Sequence, residues 1–158
     1  MNIERSFMNN FQNLPNFIYL ISNLFSLPFH LNFFSIIIFV LYYKNLLDST
    51  QIFLLFASQF LVGSIKYIVK RERPFFNSTI VNRDIVLLDR YSFPSGHTFN
   101  AFLLFYFLKK NNLLLLPSYI KIIPYLVGFS RIILGVHYPS DVVAGAILAK
   151  VLIKLYYP

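Results

Sequence analysis

The sequence predicts an all-α fold, a polytopic transmembrane helical bundle of about six helices in one membrane-embedded domain that covers residues 1–158. Hydrophobic residues make up 57% of the chain and charged residues 13%, compared with about 45–50% and 25% in typical soluble domains. The chain contains 19 Phe and 11 Tyr. It therefore has too little polar surface to cover itself in water.

Six apolar segments account for the expected helices, and polar or proline-containing stretches separate them. Several are shorter than the roughly 20 residues that span hydrocarbon, so we expect tilting or help from flanking aromatic side chains. The first two are the weakest candidates, with a hairpin that does not fully cross as their alternative. The segments run over residues 15–27, 31–44, 50–70, 97–109, 117–135 and 138–157.

The first fourteen residues are expected to form an interfacial lead-in helix, with Phe7, Met8 and Phe11 on one side. The N-terminus contains an acidic residue and has no small-residue cleavage site, so it does not resemble a signal peptide. In the loop before the third segment, "KNLLDST" carries charge and a predicted N-cap.

The composition excludes several function classes. The chain has no cysteine, which rules out disulfides, thiolate catalysis and cysteine-ligated metal sites. The formal net charge of +8 raises the possibility of nucleic-acid binding. However, the cations lie at helix ends and turns and do not form a continuous basic stripe, so we expect no nucleic-acid partner.

The 14 Lys and Arg residues give no orientation by the positive-inside rule. If the long polar interval 70–95 faces outward, the cations are expected to divide evenly, with Arg5 on the opposite face. The outward group is Lys66, Lys70, Arg71, Arg73, Arg83, Arg90 and Arg131.

The first candidate site cluster is "KYIVKRERP", in which six residues separate Lys66 from Arg73. A step of seven residues is about two helical turns. We therefore expect Lys66 and Arg73 to share one helical face and to bind one anion. Pro74 is expected to end the helix and begin the loop.

The second cluster is "FPSGH". Pro94 suits a helix entry, and Ser95 is a good N-cap. Gly96 has no side chain, so an anion can approach the backbone N–H groups at the positive end of the helix dipole. His97 lies one residue inside this predicted phosphate cradle.

The third cluster is "SRIILGVHYPSD". Gly135 is expected to end one helix, and Pro139 to occupy the first position of the next. Asp141 then lies in the first turn, from which its carboxylate can reach back to His137. A carboxylate bonded to one ring nitrogen fixes the tautomer and leaves the other nitrogen free to react.

Together the clusters combine cations, a helix N-terminus, two histidines and one carboxylate. Cations bind a phosphoryl group and stabilise charge on its oxygens. One histidine can attack phosphorus while the other protonates the departing alkoxide. The combination therefore indicates phosphoryl-transfer chemistry.

The three clusters occur in the order of the three signatures of the type 2 phosphatidic acid phosphatase (PAP2) superfamily, which the chain resembles over about residues 50–157. The resemblance implies a six-helix membrane bundle with an extracytoplasmic active site and no metal or organic cofactor. It also implies that His137 is the nucleophile, Asp141 its orienting partner and His97 the general acid. The phosphate-binding set that it implies is Lys66, Arg73, Ser95, Gly96 and Arg131.

Several residues near these clusters are left out of the predicted site. Lys70 and Arg71 lie at variable positions within the first signature. His30 has no such neighbours in sequence and is interpreted as an interfacial or packing residue. The charged residues of the long polar interval are interpreted as a solvated loop with a possible contact to a substrate headgroup: Arg83, Asp84, Asp89 and Arg90.

Other functions remain as alternatives. Two histidines and a carboxylate can form a metal triad, but Lys66, Arg73 and Arg131 would repel a divalent cation. A non-enzymatic scaffold or transport subunit fits the hydrophobicity but does not explain the filled catalytic positions. A lipid phosphotransferase would use the same residues. Soluble relatives within the superfamily bind vanadate as haloperoxidases, but the six apolar segments of this chain argue against that function.

The sequence thus predicts a metal-independent phosphatase in the bacterial inner membrane. Its expected partners are the bilayer and a phosphorylated lipid, hydrolysed through a phosphohistidine at a phosphomonoester or diphosphate. The sequence leaves the lipid open among undecaprenyl diphosphate, phosphatidylglycerophosphate, phosphatidic acid and lipid A phosphates. It also leaves the oligomeric state open.

Overall fold

A computed structural model describes residues 2–76, 79–84, 89–111 and 121–157, except the side chains of residues 2, 31 and 32. Within these ranges the fold is all-helical, without a strand. A short 3₁₀-helix, Leu27–Phe29, follows α2. The α-helices are α1 (Asn2–Asn9), α2 (Asn16–Ser26), α3 (Leu31–Tyr43), α4 (Ser49–Val69), α5 (Gly96–Lys110), α6 (Ile123–Ile133) and α7 (Pro139–Tyr156).

Each of the six predicted apolar segments corresponds to one helix, from α2 to α7. The beginning of the fifth segment, residues 117–120, lies outside the described residues. The predicted lead-in helix is α1. Its Met8 is fully buried, and the Phe11 ring just beyond it packs edge-on against Phe129 of α6 at 5.5 Å.

Among the described helices, α4 alone is long and apolar enough to cross a membrane unaided. Residues 16–29 and 33–43 meet the same criteria together, with a bend of 51° between them. Helix α6 is apolar but shorter than a full span. The all-α fold is thus confirmed, while the count of six spans and the single-domain boundary stay predictions.

At the end of the bundle where α4 begins, polar side chains from three parts of the chain form hydrogen bonds with one another. Asp48 caps α4 as predicted, because its carboxylate accepts a hydrogen bond from the Gln51 backbone N–H at 2.8 Å. The Gln51 side chain donates to Asn111 at the end of α5 and to the Tyr157 hydroxyl beyond α7. These bonds tie together three helices.

Helix α5 is the centre of the bundle and packs against α4, α6 and α7. Its Phe99, Leu103 and Phe107 are almost completely buried. Close contact with α7 requires a glycine, since a Cβ at Gly145 would lie 2.6 Å from the carbonyl oxygen of Ser95. This packing places the beginning of α5 beside the beginning of α7.

The predicted helical relation between Lys66 and Arg73 is wrong. Helix α4 ends at Val69, and Lys70 adopts a left-handed conformation with φ of 51°. Arg73 therefore lies beyond the helix, and Pro74 follows the helix end instead of causing it. The chain turns at Lys70 and brings Arg73 back over the end of the bundle.

The predicted even division of cations between the two faces is also wrong. Arg5 of α1 donates from Nε to the Tyr138 hydroxyl at 3.1 Å, and Arg71 lies over the ring of the same tyrosine, so both cations lie at one end of the bundle. Ion pairs hold many of the cations at this end of the bundle, some buried and some at the surface. These are Lys66, Arg71, Arg73, Arg90 and Arg131.

Candidate active site

The three sequence clusters meet around a cavity of about 270 Å³ at this end of the bundle. Six of the eight predicted site residues line it, whereas Ser95 and Asp141 lie behind its wall. The cavity is lined by Phe29, His30, Gln59, Val62, Gly63, Lys66, Arg73, Asp89, Gly96, His97, Asn100, Arg131 and His137.

Two of the predicted phosphate ligands come from the end of α4 and the turn after it. Lys66 Nζ donates to the carbonyl of Tyr91 at 2.8 Å. Arg73 is 3% exposed, and its Nη1 donates to the carbonyl of Val136 at 2.8 Å and lies 3.3 Å from His137 Nε2. Both cations therefore face the cavity although they are not on one helix.

Arg131, another predicted phosphate ligand, lies in the last turn of α6. Its side chain is 1% exposed, and Nη2 pairs with Asp84. Its buried Nε and Nη1 have no hydrogen-bond partner among the described residues. Buried donors are rarely left unsatisfied, and a guanidinium edge matches the oxygens of a phosphate.

The start of α5 has the predicted capped geometry. Ser95 is the N-cap, and its Oγ accepts hydrogen bonds from the backbone N–H and the hydroxyl of Thr98. The Ser95 N–H donates to the carbonyl of Asp141 at 3.0 Å. The Ser95 side chain thus holds the helix end in place, while Gly96 and His97 line the cavity.

The turn between α6 and α7 also follows the prediction. Gly135 has φ of 76°, which favours glycine, directly after α6. The lack of a side chain at Gly135 is also required because a Cβ there would collide with the carbonyl oxygen of Val81. Pro139 begins α7, with Asp141 in its first turn.

The Asp141 carboxylate faces His137 without a short hydrogen bond to it. Asp141 Oδ2 lies 3.6 Å from His137 Nδ1, and no described residue forms a hydrogen bond with Nδ1. Asp141 Oδ2 accepts instead from the Tyr138 N–H at 2.8 Å, and Oδ1 from Arg71 Nη1 at 2.6 Å. The carboxylate is thus fixed by two other donors at ion-pair distance from the ring.

His137 lies in the turn between α6 and α7, outside both helices. Burial, followed by the nearby positive charge of Arg73, holds the pKa of His137 well below its ordinary value. The ring is therefore neutral near neutral pH. Since Arg73 can only donate, Nε2 beside it is assigned as the acceptor and Nδ1 as the protonated nitrogen.

His30 is not the isolated residue that the sequence suggested. It is 4% exposed, lines the cavity and contacts His97 edge-on, with ring centroids 5.7 Å apart. His30 is buried, as expected of a packing residue. It nevertheless contacts a predicted catalytic histidine, which the lack of a neighbouring motif in the sequence did not suggest. Its position before α3 carries no local pattern that relates it to α5.

The interpretation of Arg83, Asp84, Asp89 and Arg90 as solvated residues is wrong for Asp84, whereas the Asp89 side chain is 48% exposed although it also forms ion pairs. Asp84, with a side chain 5% exposed, pairs with Arg131. Asp89 pairs with Lys66 at 3.2 Å and also with Arg73. The interpretation fits Arg90, whose side chain is 65% exposed in its pair with Glu72.

Sequence reasoning missed two residues that lie at the same end of the bundle as the cavity, Arg71 and Glu4. Arg71, set aside as a variable position, donates to Asp141 and to Glu4 of α1. Nothing in the spacing of the motifs indicates these contacts, because they join α1, the turn after α4 and the start of α7.

The described residues contain no group of three histidine or acidic side chains placed to hold a metal ion. Asp141 is fully buried behind His137, and three cations line the cavity. This donor set fits an anion better than a divalent cation.

Comparison with known proteins agrees with these motifs. The family model described as the PAP2 superfamily matches residues 49–158. Phosphatidylglycerophosphatase B of Bacillus subtilis (strain 168) is 33% identical over 126 residues, which cover 72% of this chain and 59% of that protein. Decaprenylphosphoryl-5-phosphoribose phosphatase of Mycobacterium tuberculosis (strain ATCC 25618 / H37Rv) is 36% identical over 93 residues, covering 59% of this chain and 50% of that protein. The chain thus spans only part of these relatives.

Two solved structures share the fold. The first transmembrane PAP2 type phosphatidylglycerolphosphate phosphatase from Bacillus subtilis superposes with a TM-score of 0.75 at 21% identity, covering 98% of this chain and 82% of that one. LpxE of Aquifex aeolicus gives 0.74 at 23% identity, covering 96% and 94%. With the family match over most of its length, the chain belongs to the PAP2 superfamily.

Proposed function

We propose that the protein is a membrane lipid phosphatase that hydrolyses a phosphomonoester or diphosphate without a metal, through a phosphohistidine on His137. The observation that carries this proposal is the buried guanidinium of Arg131, two nitrogens of which have no partner in the part of the chain that the structure describes. This guanidinium lines a cavity that His97 and His137 also line. An anion with several oxygens would satisfy these donors, and a phosphoryl group beside the histidines can react.

In the first step, His137 Nε2 attacks phosphorus. A P–N bond forms as the P–O bond to the leaving group breaks, and His97, in its protonated form beside the bound phosphoryl anion, donates its proton to the departing oxygen. Positive charge then develops on the His137 ring. The Asp141 carboxylate, 3.6 Å from Nδ1, stabilises that charge, while Lys66, Arg73 and Arg131 stabilise the phosphoryl oxygens.

In the second step, water attacks phosphorus and breaks the P–N bond. His97, left neutral by the first step, accepts the water proton, which returns both histidines to their starting states. Phosphate leaves from the cation-lined cavity. No redox change and no metal-bound nucleophile is required.

The lipid nature of the substrate is supported by the exposed apolar surface of α4, the helix that carries Lys66 into the cavity. Several large apolar side chains of α4 are exposed, including Phe53, Phe60 and Ile68 at 68%, 81% and 78%, and α4 is long enough to span a membrane. We infer that the lipid tail stays in the bilayer while its headgroup reaches the cations. The protein then acts in the bacterial inner membrane, with its active site on the extracytoplasmic face.

The names of the relatives narrow the substrate class to be tested. Two of them are named as phosphatases of phosphatidylglycerophosphate and of a decaprenylphosphoryl sugar phosphate. We infer that this chain takes a substrate of the same broad class. Undecaprenyl diphosphate, phosphatidylglycerophosphate, phosphatidic acid and lipid A phosphates form the test panel.

The proposal is tested by measuring phosphate release from this panel with detergent-purified protein in EDTA, beside a His137→Ala variant. Release by the wild-type protein alone supports a metal-independent lipid phosphatase. Equal release by both proteins contradicts the role of His137. Transfer of the phosphoryl group only to an added acceptor lipid identifies a phosphotransferase, and no turnover of any kind favours a non-enzymatic role.

A further inference from the structure

Helix α1 contacts the beginning of α7, next to the turn that carries His137, through the carboxylate of Glu4. Glu4 Oε2 accepts a hydrogen bond from Arg71 Nη2 at 2.7 Å, and Oε1 accepts from the Ser140 N–H at 2.9 Å. Arg71 Nη1 donates in turn to Asp141 Oδ1 and to the Ser140 hydroxyl, both at 2.6 Å. A continuous chain therefore runs from Glu4 through Arg71 to Asp141.

This chain is partly shielded from solvent. The side chains of Glu4 and Arg71 are 25% and 22% exposed, and Asp141 is fully buried. The Arg71 guanidinium lies over the Tyr138 ring at 4.0 Å, and Arg5 donates to the Tyr138 hydroxyl. Two consecutive residues of α1 thus hold the guanidinium and the ring on which it stacks.

Glu4 is anionic in this arrangement. Burial acts to raise the pKa of Glu4, but hydrogen bonds from Ser140 and Arg71 outweigh it, and the net effect is a lowered pKa. A charged acceptor strengthens both hydrogen bonds. Glu4 therefore holds one edge of the Arg71 guanidinium while Asp141 binds the other, and it sets the plane in which that guanidinium lies.

We propose that Glu4 and Arg71 are positioning residues that orient Asp141 toward His137, which makes α1 part of the catalytic apparatus. The argument rests on the proposed function, in which His137 is the nucleophile. A planar guanidinium held on both edges has one orientation, and so does the carboxylate that it binds. Without Glu4, one edge of the Arg71 guanidinium is released, and the carboxylate of Asp141 that Arg71 binds is held in one orientation less tightly.

The test compares Arg71→Gln, Arg71→Lys and Glu4→Gln with wild type. Arg90→Gln is the matched control, because Arg90 also pairs with a glutamate at this end of the molecule but is largely exposed. We expect Arg71→Gln to lower kcat about 10-fold or more, as for the loss of a charge-assisted hydrogen bond. KM should change little, because Arg71 does not line the cavity.

The conservative variants separate positioning from simple packing. Lysine retains the charge but not the planar fork, so Arg71→Lys should recover part of the lost kcat. Glu4→Gln keeps the shape and loses the charge, and should lower kcat less than Arg71→Gln. Arg90→Gln should have the wild-type kcat.

A second readout is independent of turnover. The chain contains three histidines, so side-chain nitrogen NMR of labelled protein can be assigned with His30 and His97 variants. We expect wild-type His137 to be protonated at Nδ1. Arg71→Gln should shift this tautomer equilibrium or the His137 pKa, whereas Arg90→Gln should not.

The outcomes distinguish this inference from the proposed function. Wild-type kcat per folded molecule and an unchanged His137 signal in both Arg71→Gln and Glu4→Gln would overturn the positioning role. Reduced activity explained wholly by a smaller folded fraction in thermal unfolding would overturn it too. If wild type turns over no lipid, the proposed function fails, and the NMR comparison alone decides whether Glu4 and Arg71 position Asp141.

Discussion

Asp89 provides the sharpest test of how the cavity binds an anion. Its carboxylate pairs with Lys66 and Arg73, two of the residues that we propose as phosphate ligands. A phosphate that binds these cations must therefore compete with Asp89. Asp89→Asn keeps the shape of the side chain and removes its charge, and it should strengthen the binding of inorganic phosphate or vanadate.

The expected change in the dissociation constant for phosphate follows from how exposed the two ion pairs of Asp89 are. The Asp89 side chain is 48% exposed, whereas its partners are 12% and 4% exposed. Ion pairs with a solvent-exposed member contribute about 0.2–1 kcal/mol each. Two such pairs correspond to a decrease in Kd of roughly 2- to 30-fold, using about 1.4 kcal/mol for each factor of ten.

The assay is isothermal titration calorimetry with phosphate or vanadate in EDTA. Asp48→Asn is the matched control, since it makes the same charge change at the opposite end of the bundle, and asparagine is an equally good N-cap. The control should keep the wild-type Kd. Weaker phosphate binding by Asp89→Asn would refute the competition argument and would indicate that Asp89 holds Lys66 and Arg73 in place for the ligand.

Further predictions concern helix packing, independence from metal ions, and the effect of pH. Gly145→Ala places a Cβ against the backbone of Ser95 and should destabilise the bundle by about 1–3 kcal/mol in thermal unfolding, whereas Gly63→Ala, with no atom within 4 Å of the added Cβ, should not destabilise it. EDTA should leave turnover unchanged; loss of activity that a divalent cation restores would contradict metal independence. Burial, and secondly the charge of Arg73, lower the pKa of His137. The acidic limb of the pH profile of kcat/KM should therefore lie below pH 6.5, the ordinary histidine pKa. The free energy of unfolding should also decrease as pH falls through 6.5, because the unfolded chain binds the proton of this histidine more readily than the folded protein does. An acidic limb at or above 6.5 would contradict a neutral His137.

Local signals in the sequence predicted most of the helix boundaries. Asp48, Ser95 and Pro139 mark the beginnings of α4, α5 and α7 because capping and N1 preferences act within a single turn. Gly135 marks the end of α6 for a similar local reason, its positive φ. These residues could be interpreted correctly because their roles depend only on near neighbours.

The placement of the cations could be predicted only in part. Lys66 and Arg73 line one cavity as expected, but Arg73 reaches it from a turn. The cause is the left-handed conformation of Lys70, which lysine rarely adopts and which no spacing rule predicts. A correct pairing of residues was thus inferred from a wrong local geometry.

The carboxylates that pair with the site cations could not be predicted. Asp84, Asp89 and Glu4 contact Arg131, Arg73 and Arg71 across long stretches of chain. Their partners are determined by how the turn after α4, the loop before α5 and helix α1 fold over the bundle. Hydrophobic periodicity reports which face of a helix is buried, and it carries no information on such loop contacts.

The most direct test of the central claim is to trap the phosphoenzyme. Detergent-purified protein in EDTA would be mixed with a lipid substrate radiolabelled at the terminal phosphate and quenched rapidly in base, and the protein-bound label would then be measured. The account predicts label that is stable in base and lost in acid, as expected for phosphohistidine, in wild type and not in His137→Ala. Label retained in His137→Ala, or phosphate release with no labelled wild-type protein at any quench time, would contradict it.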